Sequence, residues 1–102
     1  MRFVAVTACI AGIAHTYMAK SALEKAAKDA GSTIHVETQG AMGIEDRLSQ
    51  DEIDAADAVI LAFDTTVTER DRFDGKKILE VGTSEVVKDA SGVIAKATEL
   101  AG

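Results

Sequence analysis

The stretch Arg2-Phe3-Val4-Ala5-Val6-Thr7-Ala8-Cys9-Ile10-Ala11-Gly12-Ile13-Ala14-His15-Thr16 decides how this chain folds. Its first half, Arg2–Ala8, is a short β-branched apolar run, the pattern of a strand buried on both faces. Its second half is a loop of small residues that enters a helix. Over residues 14–30 the apolar positions Ala19, Ala22, Leu23, Ala26, Ala27 and Ala30 recur at helical spacing. Lys20, Ser21, Glu24, Lys25, Lys28 and Asp29 fill the other face, and Gly31 supplies the stop.

The rest of the chain continues the alternation. Residues 33–38 place Ile34 and Val36 on one face and His35 and Glu37 on the other, a strand with one less buried side near an edge, ending at Gln39-Gly40. Gly40 and Gly43 mark an irregular loop. Ser49 followed by Glu52 is a capping-box signature for a short helix over residues 50–56. Ala58–Phe63 is a third strand, fully apolar. Residues 64–75 are polar, with one helical turn near 69–73, and residues 77–81 form a fourth, weaker strand closed by Gly82. Thr83 or Ser84 can cap a last helix to about residue 100, interrupted around 89–92, where Ser91 could cap a fresh start.

Strands alternating with helices imply right-handed crossovers. The expected class is therefore α/β: a three-layer, Rossmann-like fold with a four-stranded parallel sheet, helices on both faces and a phosphate loop after the first strand. A length of 102 residues, 47% hydrophobic and 27% charged, fits one domain over residues 1–102 and is too apolar for a disordered chain. Seventeen Asp plus Glu against eleven Lys plus Arg give a formal charge of −6, which repels nucleic-acid phosphates and anionic lipid headgroups. The longest apolar run, Ala58–Phe63, falls far short of the roughly 20 residues of a bilayer-spanning helix. The expectation is a cytoplasmic protein with no nucleic-acid partner and no membrane insertion. One cysteine with two histidines, His15 and His35, is too few and too scattered for a zinc site, and nothing in the sequence requires a metal or organic cofactor.

Ligands of such folds bind at the carboxyl ends of the strands. That edge gathers residues 9–16, 39–43, 64–66 and 82–84. Cys9 stands there, before a helix N-terminus whose amides and dipole favour both an anion and a thiolate. Ala11, Gly12, Ile13 and Ala14 offer no side-chain cap to the free N–H groups, so a phosphoryl group could serve as one. The frame Cys9-x5-His15-Thr16 parallels the Cys-x5-Arg-Ser/Thr loop of cysteine phosphatases, with histidine in place of arginine. Arginine clamps phosphoryl oxygens bidentately and keeps its charge, whereas histidine offers one donor per face and titrates near neutrality. The exchange weakens hydrolysis yet leaves a loop able to hold a phosphorylated cysteine, and Thr16 could donate its hydroxyl to the thiolate.

The segments Val4-Ala5-Val6-Thr7-Ala8-Cys9, Gly12-Ile13-Ala14-His15-Thr16-Tyr17-Met18-Ala19, Val36-Glu37-Thr38-Gln39-Gly40 with Gly43-Ile44-Glu45, and Asp54-Ala55-Ala56-Asp57 together carry a resemblance. The chain resembles the enzyme IIB components of the bacterial sugar phosphotransferase system, fructose family, over nearly its whole length. The resemblance implies a phosphocysteine sugar phosphotransferase. Cys9 would take a phosphoryl group from a phosphohistidine of a IIA component and pass it to a fructose-type sugar bound by the membrane permease IIC. It also implies a phosphate loop of Ile10, Ala11, Gly12, Ile13, Ala14, His15 and Thr16. The family usually reads Cys-Pro-x-Gly where this chain reads Cys9-Ile10-Ala11-Gly12, a change that frees one φ angle and restores one N–H donor.

Other residues carry plainer readings beside functional ones. A cysteine ending an apolar strand is often only a small buried hydrophobe. His15 could contact phosphate or face solvent, and His35 reads as an edge residue without a role. Glu45, Asp46, Asp51, Glu52, Asp54 and Asp57 read as a solvated acidic face. Gln39, Gly40 and Gly43 form a turn placed to shape the site. Asp64 sits where a phosphatase would want a general acid, or is a turn former. Tyr17 and Met18 could form an apolar docking surface or pack on the sheet. A low-molecular-weight-type cysteine phosphatase and a non-catalytic anion-binding or thiol-sensing module stand as alternatives.

Overall fold

The computed structural model describes residues 1–9, 13–40 and 43–102. Its elements run β1 (Arg2–Ala8), α1 (Ile13–Asp29), β2 (Thr33–Gly40), β3 (Gly43–Glu45), α2 (Gln50–Ala55), β4 (Ala58–Phe63), a single helical turn at Arg70–Phe73, β5 (Ile78–Val81) and α3 (Thr83–Ala101). The strands form one sheet in the order β3-β2-β1-β4-β5. The four expected strands are mutually parallel, and β3 adds a fifth, antiparallel to β2. Residues 40–43, expected as an irregular loop, are bracketed by a pairing of Gly40 with Gly43. Three residues are too few to show a period-2 pattern. The reversal also uses Gly43 at φ 83, a left-handed conformation that glycine enters without steric cost.

Alternation along β1 and β4 divides two apolar layers. Phe3, Ala5, Ile60 and Ala62 face α1 and α3, where Leu23, Ala27, Val86 and Ile94 complete one cluster. Val4, Val6, Val59 and Leu61 face α2 and the turn, against Leu48, Ile53, Val67 and Phe73. Helices on both faces are therefore as expected. The capping box of α2 is present, with Ser49 accepting from the Glu52 amide and the Glu52 carboxylate accepting from Ser49. Gly31, at φ 75, ends α1 with Ser32 N–H donating to Ala27 O. Among the described residues no helix is long and apolar enough to cross a membrane.

Two caps differ from expectation. Gly82, not Thr83 or Ser84, occupies the N-cap of α3 and offers no side chain. Thr83 is buried and its hydroxyl is directed at Asp64 instead. The interruption within α3 falls at Asp89 (φ −150, ψ 63), and Asp89 rather than Ser91 caps the restart, its carboxylate accepting from Gly92 N–H at 3.1 Å.

Glu37 is the largest departure. The alternation of β2 put it on the less buried face, yet it is fully buried beside Val6. Arg72 reaches back from the helical turn and donates to both carboxylate oxygens, at 2.8 and 2.9 Å. Leu48 N–H and the Gln39 side-chain amide donate as well, at 2.9 and 2.8 Å. Burial alone would push this carboxyl up. Arg72, then Gln39 and Leu48, outweigh it and hold the group below the ordinary value of 4.5. Removing Arg72 leaves a buried charge without its counter-ion, so Arg72→Ala is expected to cost about 3–5 kcal/mol in urea denaturation. Because the folded value is depressed, the pair's contribution is present above pH 4.5 and is lost as pH falls through that lower value. Acid unfolding followed by circular dichroism should begin below pH 4.5 in the wild type and lose this phase in Glu37→Gln.

Candidate functional site

The sheet order sends the chain from β1 to β2 on one side and then across to β4 on the other, so the crevice opens between the carboxyl ends of β1 and β4. Ala8 pairs with Gln39 on β2 and with Phe63 on β4. Cys9 follows Ala8, its amide donating to Gln39 O at 3.4 Å, and Asp64 follows Phe63, its amide donating to Ala8 O at 3.0 Å. His15 stands exposed in the first turn of α1, a turn that holds no acidic residue to offset the helix dipole. Cys9 Sγ, a His15 ring nitrogen and an Asp64 carboxylate oxygen all lie within 4.8 Å of one another.

Asp64 is held from behind. Thr83 donates its backbone N–H to Oδ1 at 3.3 Å and its hydroxyl to Oδ2. The Thr83 hydroxyl, against a smaller opposing effect of burial, keeps the Asp64 carboxyl below its ordinary 3.8, with help from the Thr83 amide, the Cys9 thiol and the His15 charge. Asp64 is therefore an anion at neutral pH.

Beside the trio lies a cleft of about 290 Å³ lined by Ala8, Cys9, Gln39, Gly40, Gly43, Ile44, Thr65, Thr66 and Thr68. Gln39 builds one wall of it. Its side-chain carbonyl accepts from Thr68 N–H at 2.8 Å and its amide donates to Thr68 O at 3.0 Å, which ties the segment after β4 to β2. Gly40 lies over buried Thr16, whose Oγ1 would be 3.8 Å from a Cβ added there. The Thr16 carbonyl also accepts from Thr7 Oγ1 at 3.2 Å.

The structure thus brings together Cys9, His15 and Asp64, with Gln39, Gly40 and Gly43 along the neighbouring cleft. Ile10, Ala11 and Gly12 of the expected phosphate loop lie outside the described residues. Ile13 and Ala14 are the first two positions of α1. Tyr17 directs its hydroxyl to the Glu45 carboxylate on β3, and Met18 is half exposed. The acidic face is largely paired: Asp46 with Lys20, Glu52 with His35, Asp54 with Gln50 and Asp57 with the Arg2 amide. Sequence reasoning missed Thr68, which has no motif of its own, and the Glu37–Arg72 pair beneath Gln39, whose members are 35 residues apart. Asp64, expected on this edge as a general acid or a turn former, stands beside Cys9 and His15.

A family model described as "PTS system, Lactose/Cellobiose specific IIB subunit" matches residues 4–96. The chain is 50% identical over 101 residues to the PTS system fructose-specific EIIB component of Haloferax volcanii, covering 99% of this chain and 63% of that protein. It is 49% identical over 98 residues to the Fructose-like PTS system EIIBC component of Escherichia coli, covering 94% of this chain and 20% of that protein. It therefore spans less than two thirds of the one and a fifth of the other. A solved domain from the fructose-specific IIABC component of Borrelia burgdorferi matches at TM-score 0.91 and 43% identity, over 96% of this chain and 93% of that one.

Gln39→Leu removes both bonds to Thr68 together with the bond to Glu37. The two bonds to Thr68, about 0.5–1.5 kcal/mol each, are lost together. Hydrogen exchange at the Thr68 amide should accelerate about fivefold or more while the β1 amides keep their protection, and unchanged exchange at Thr68 would remove Gln39 from the cleft wall.

Proposed function

The chain belongs to the IIB components of the sugar phosphotransferase system, and from that premise we propose that it is a phosphoryl carrier working through Cys9. The donor in this reading is a phosphohistidine of a IIA component, and the acceptor is a fructose-type sugar held by a IIC permease. The observation that carries the reading is the meeting of Cys9, His15 and Asp64 at the β1–β4 crevice, next to an open cleft and the N-terminus of α1. Relatives named as fructose-type EIIB and EIIBC components support the sugar class and the pairing with IIC.

In the first step Cys9 sulfur attacks the phosphohistidine phosphorus. The S–P bond forms, the P–N bond breaks, and the thiol proton ends on the released imidazole through solvent. In the second step a sugar hydroxyl attacks phosphorus, the P–S bond breaks, and the hydroxyl proton passes to the thiolate or to solvent. The helix N-terminus and the His15 ring N–H stabilise phosphoryl oxygens. Asp64 works against them, because its fixed negative charge repels the phosphoryl dianion on the neighbouring sulfur. That repulsion favours onward transfer over storage.

The same carboxylate weighs against the phosphatase reading. A general acid must be protonated at working pH, and Asp64 is held ionised by Thr83. With phosphoenolpyruvate, the general phosphotransferase proteins and a fructose-type IIA, intact-mass spectrometry should record one added phosphoryl group on the wild type and none on Cys9→Ser. Equal incorporation with equal lability in Cys9→Ser would defeat the reading. Asp64→Asn should lengthen the lifetime of the phosphorylated protein several-fold when no acceptor is supplied.

A further inference from the structure

We propose that Cys9, His15 and Asp64 form a reversible binding site for a thiophilic divalent cation, zinc(II), which competes with the phosphoryl group for the same sulfur. Cysteine and histidine alone are too few for a zinc site, and His35 lies elsewhere, against Glu52. The fold supplies Asp64 instead, by setting β4 beside β1. The three donor atoms lie within 4.8 Å of one another. A tetrahedral zinc centre with Zn–S near 2.3 Å and Zn–N or Zn–O near 2.0–2.1 Å needs its donors roughly 3.3–3.6 Å apart. His15 is exposed, so rotation of its side chain can close that gap while Asp64 keeps its Thr83 bonds and the backbone stays in place.

Charge and donor type select the ion. A thiolate, a carboxylate and a neutral imidazole carry two negative charges, which balance a divalent cation. Sulfur and imidazole donors disfavour magnesium and calcium, which seek oxygen alone. Metal-bound carboxylates are themselves hydrogen-bonded by a surrounding layer, and Asp64 already has that support from the Thr83 amide and hydroxyl. Three protein donors leave a fourth position for water, the arrangement of an exchangeable rather than a structural centre. Binding replaces the Cys9 proton, which is released to the buffer. A phosphorylated sulfur no longer offers a thiolate, so phosphoryl group and metal exclude each other.

The test uses the unphosphorylated protein and needs no IIA donor, so its outcome is independent of the carrier reading. Cobalt(II) titrated into the wild type should give a thiolate-to-cobalt charge-transfer band in the near ultraviolet, saturating at one equivalent and abolished by one equivalent of zinc. Cys9→Ser should lack the band, and Asp64→Asn and His15→Asn should each weaken binding at least about tenfold. In the wild-type protein itself zinc should shift the His15 ring resonances and leave those of His35 in place. A wild type without the band at millimolar cobalt, unmoved His15 resonances, or variants at Asp64 and His15 that bind like the wild type would each overturn the proposal. The last of these would indicate a lone thiol only.

Discussion

Two backbone hydrogen bonds close the end of β1, from Cys9 N–H to Gln39 O on one side and from Asp64 N–H to Ala8 O on the other. Everything at the crevice depends on them. Because β1 is central and both neighbours run parallel to it, three chain segments leave the sheet at one edge and at one level. A histidine at the start of α1 then has only one turn to cross to reach the cysteine. Had β4 been inserted anywhere else in the sheet, Asp64 and Cys9 would belong to different surfaces.

The wall of the cleft opposite β2 is held by polar contacts more than by apolar ones. Residues 64–73 carry Asp64, Thr65, Thr66 and Thr68, and among them Val67 and Phe73 reach the core. The segment is pinned at its beginning by Thr83, in its middle by Gln39 and at its end by the Glu37–Arg72 pair. Neutral hydrogen bonds add about 0.5–1.5 kcal/mol each and those to charged groups about 1.5–3 kcal/mol, so the charged anchor at Arg72 dominates. Gln39 joins the two systems, because its amide donates to Glu37 and to Thr68 together.

How much of this was legible in the sequence depended on whether the signal was local. Ala58–Phe63 was readable to the residue because a strand buried on both faces has an unbroken apolar run with polar ends. The α2 cap was readable because Ser49 and Glu52 satisfy each other within one turn. The break in α3 was located, but its cap was assigned to Ser91, since several residues there can accept a hydrogen bond and only the backbone decides which one does. Glu37 misled outright. A carboxylate at an alternating position implies solvent unless its counter-ion is known, and Arg72 lies 35 residues away. Cys9 and Asp64 were legible as strand ends, whereas the Thr83 donors that fix the Asp64 charge were not, because nothing in Gly82-Thr83-Ser84 distinguishes a cap from a partner.

The buried Glu37 also bears on how the sheet is threaded. A hairpin sets its own register through its turn, but β1 and β2 are joined by a 17-residue helix, and no local geometry decides which residue of β2 lies beside Val6. Apolar side chains alone would tolerate some sliding. A slip of one residue would swing the Glu37 carboxylate into the layer of Leu23 and Ala27, away from Arg72, at a cost of several kcal/mol. One charge among small, interchangeable hydrophobes thus serves the folding chain as an alignment mark, rejecting misthreaded sheets that the alanine-rich core would accept.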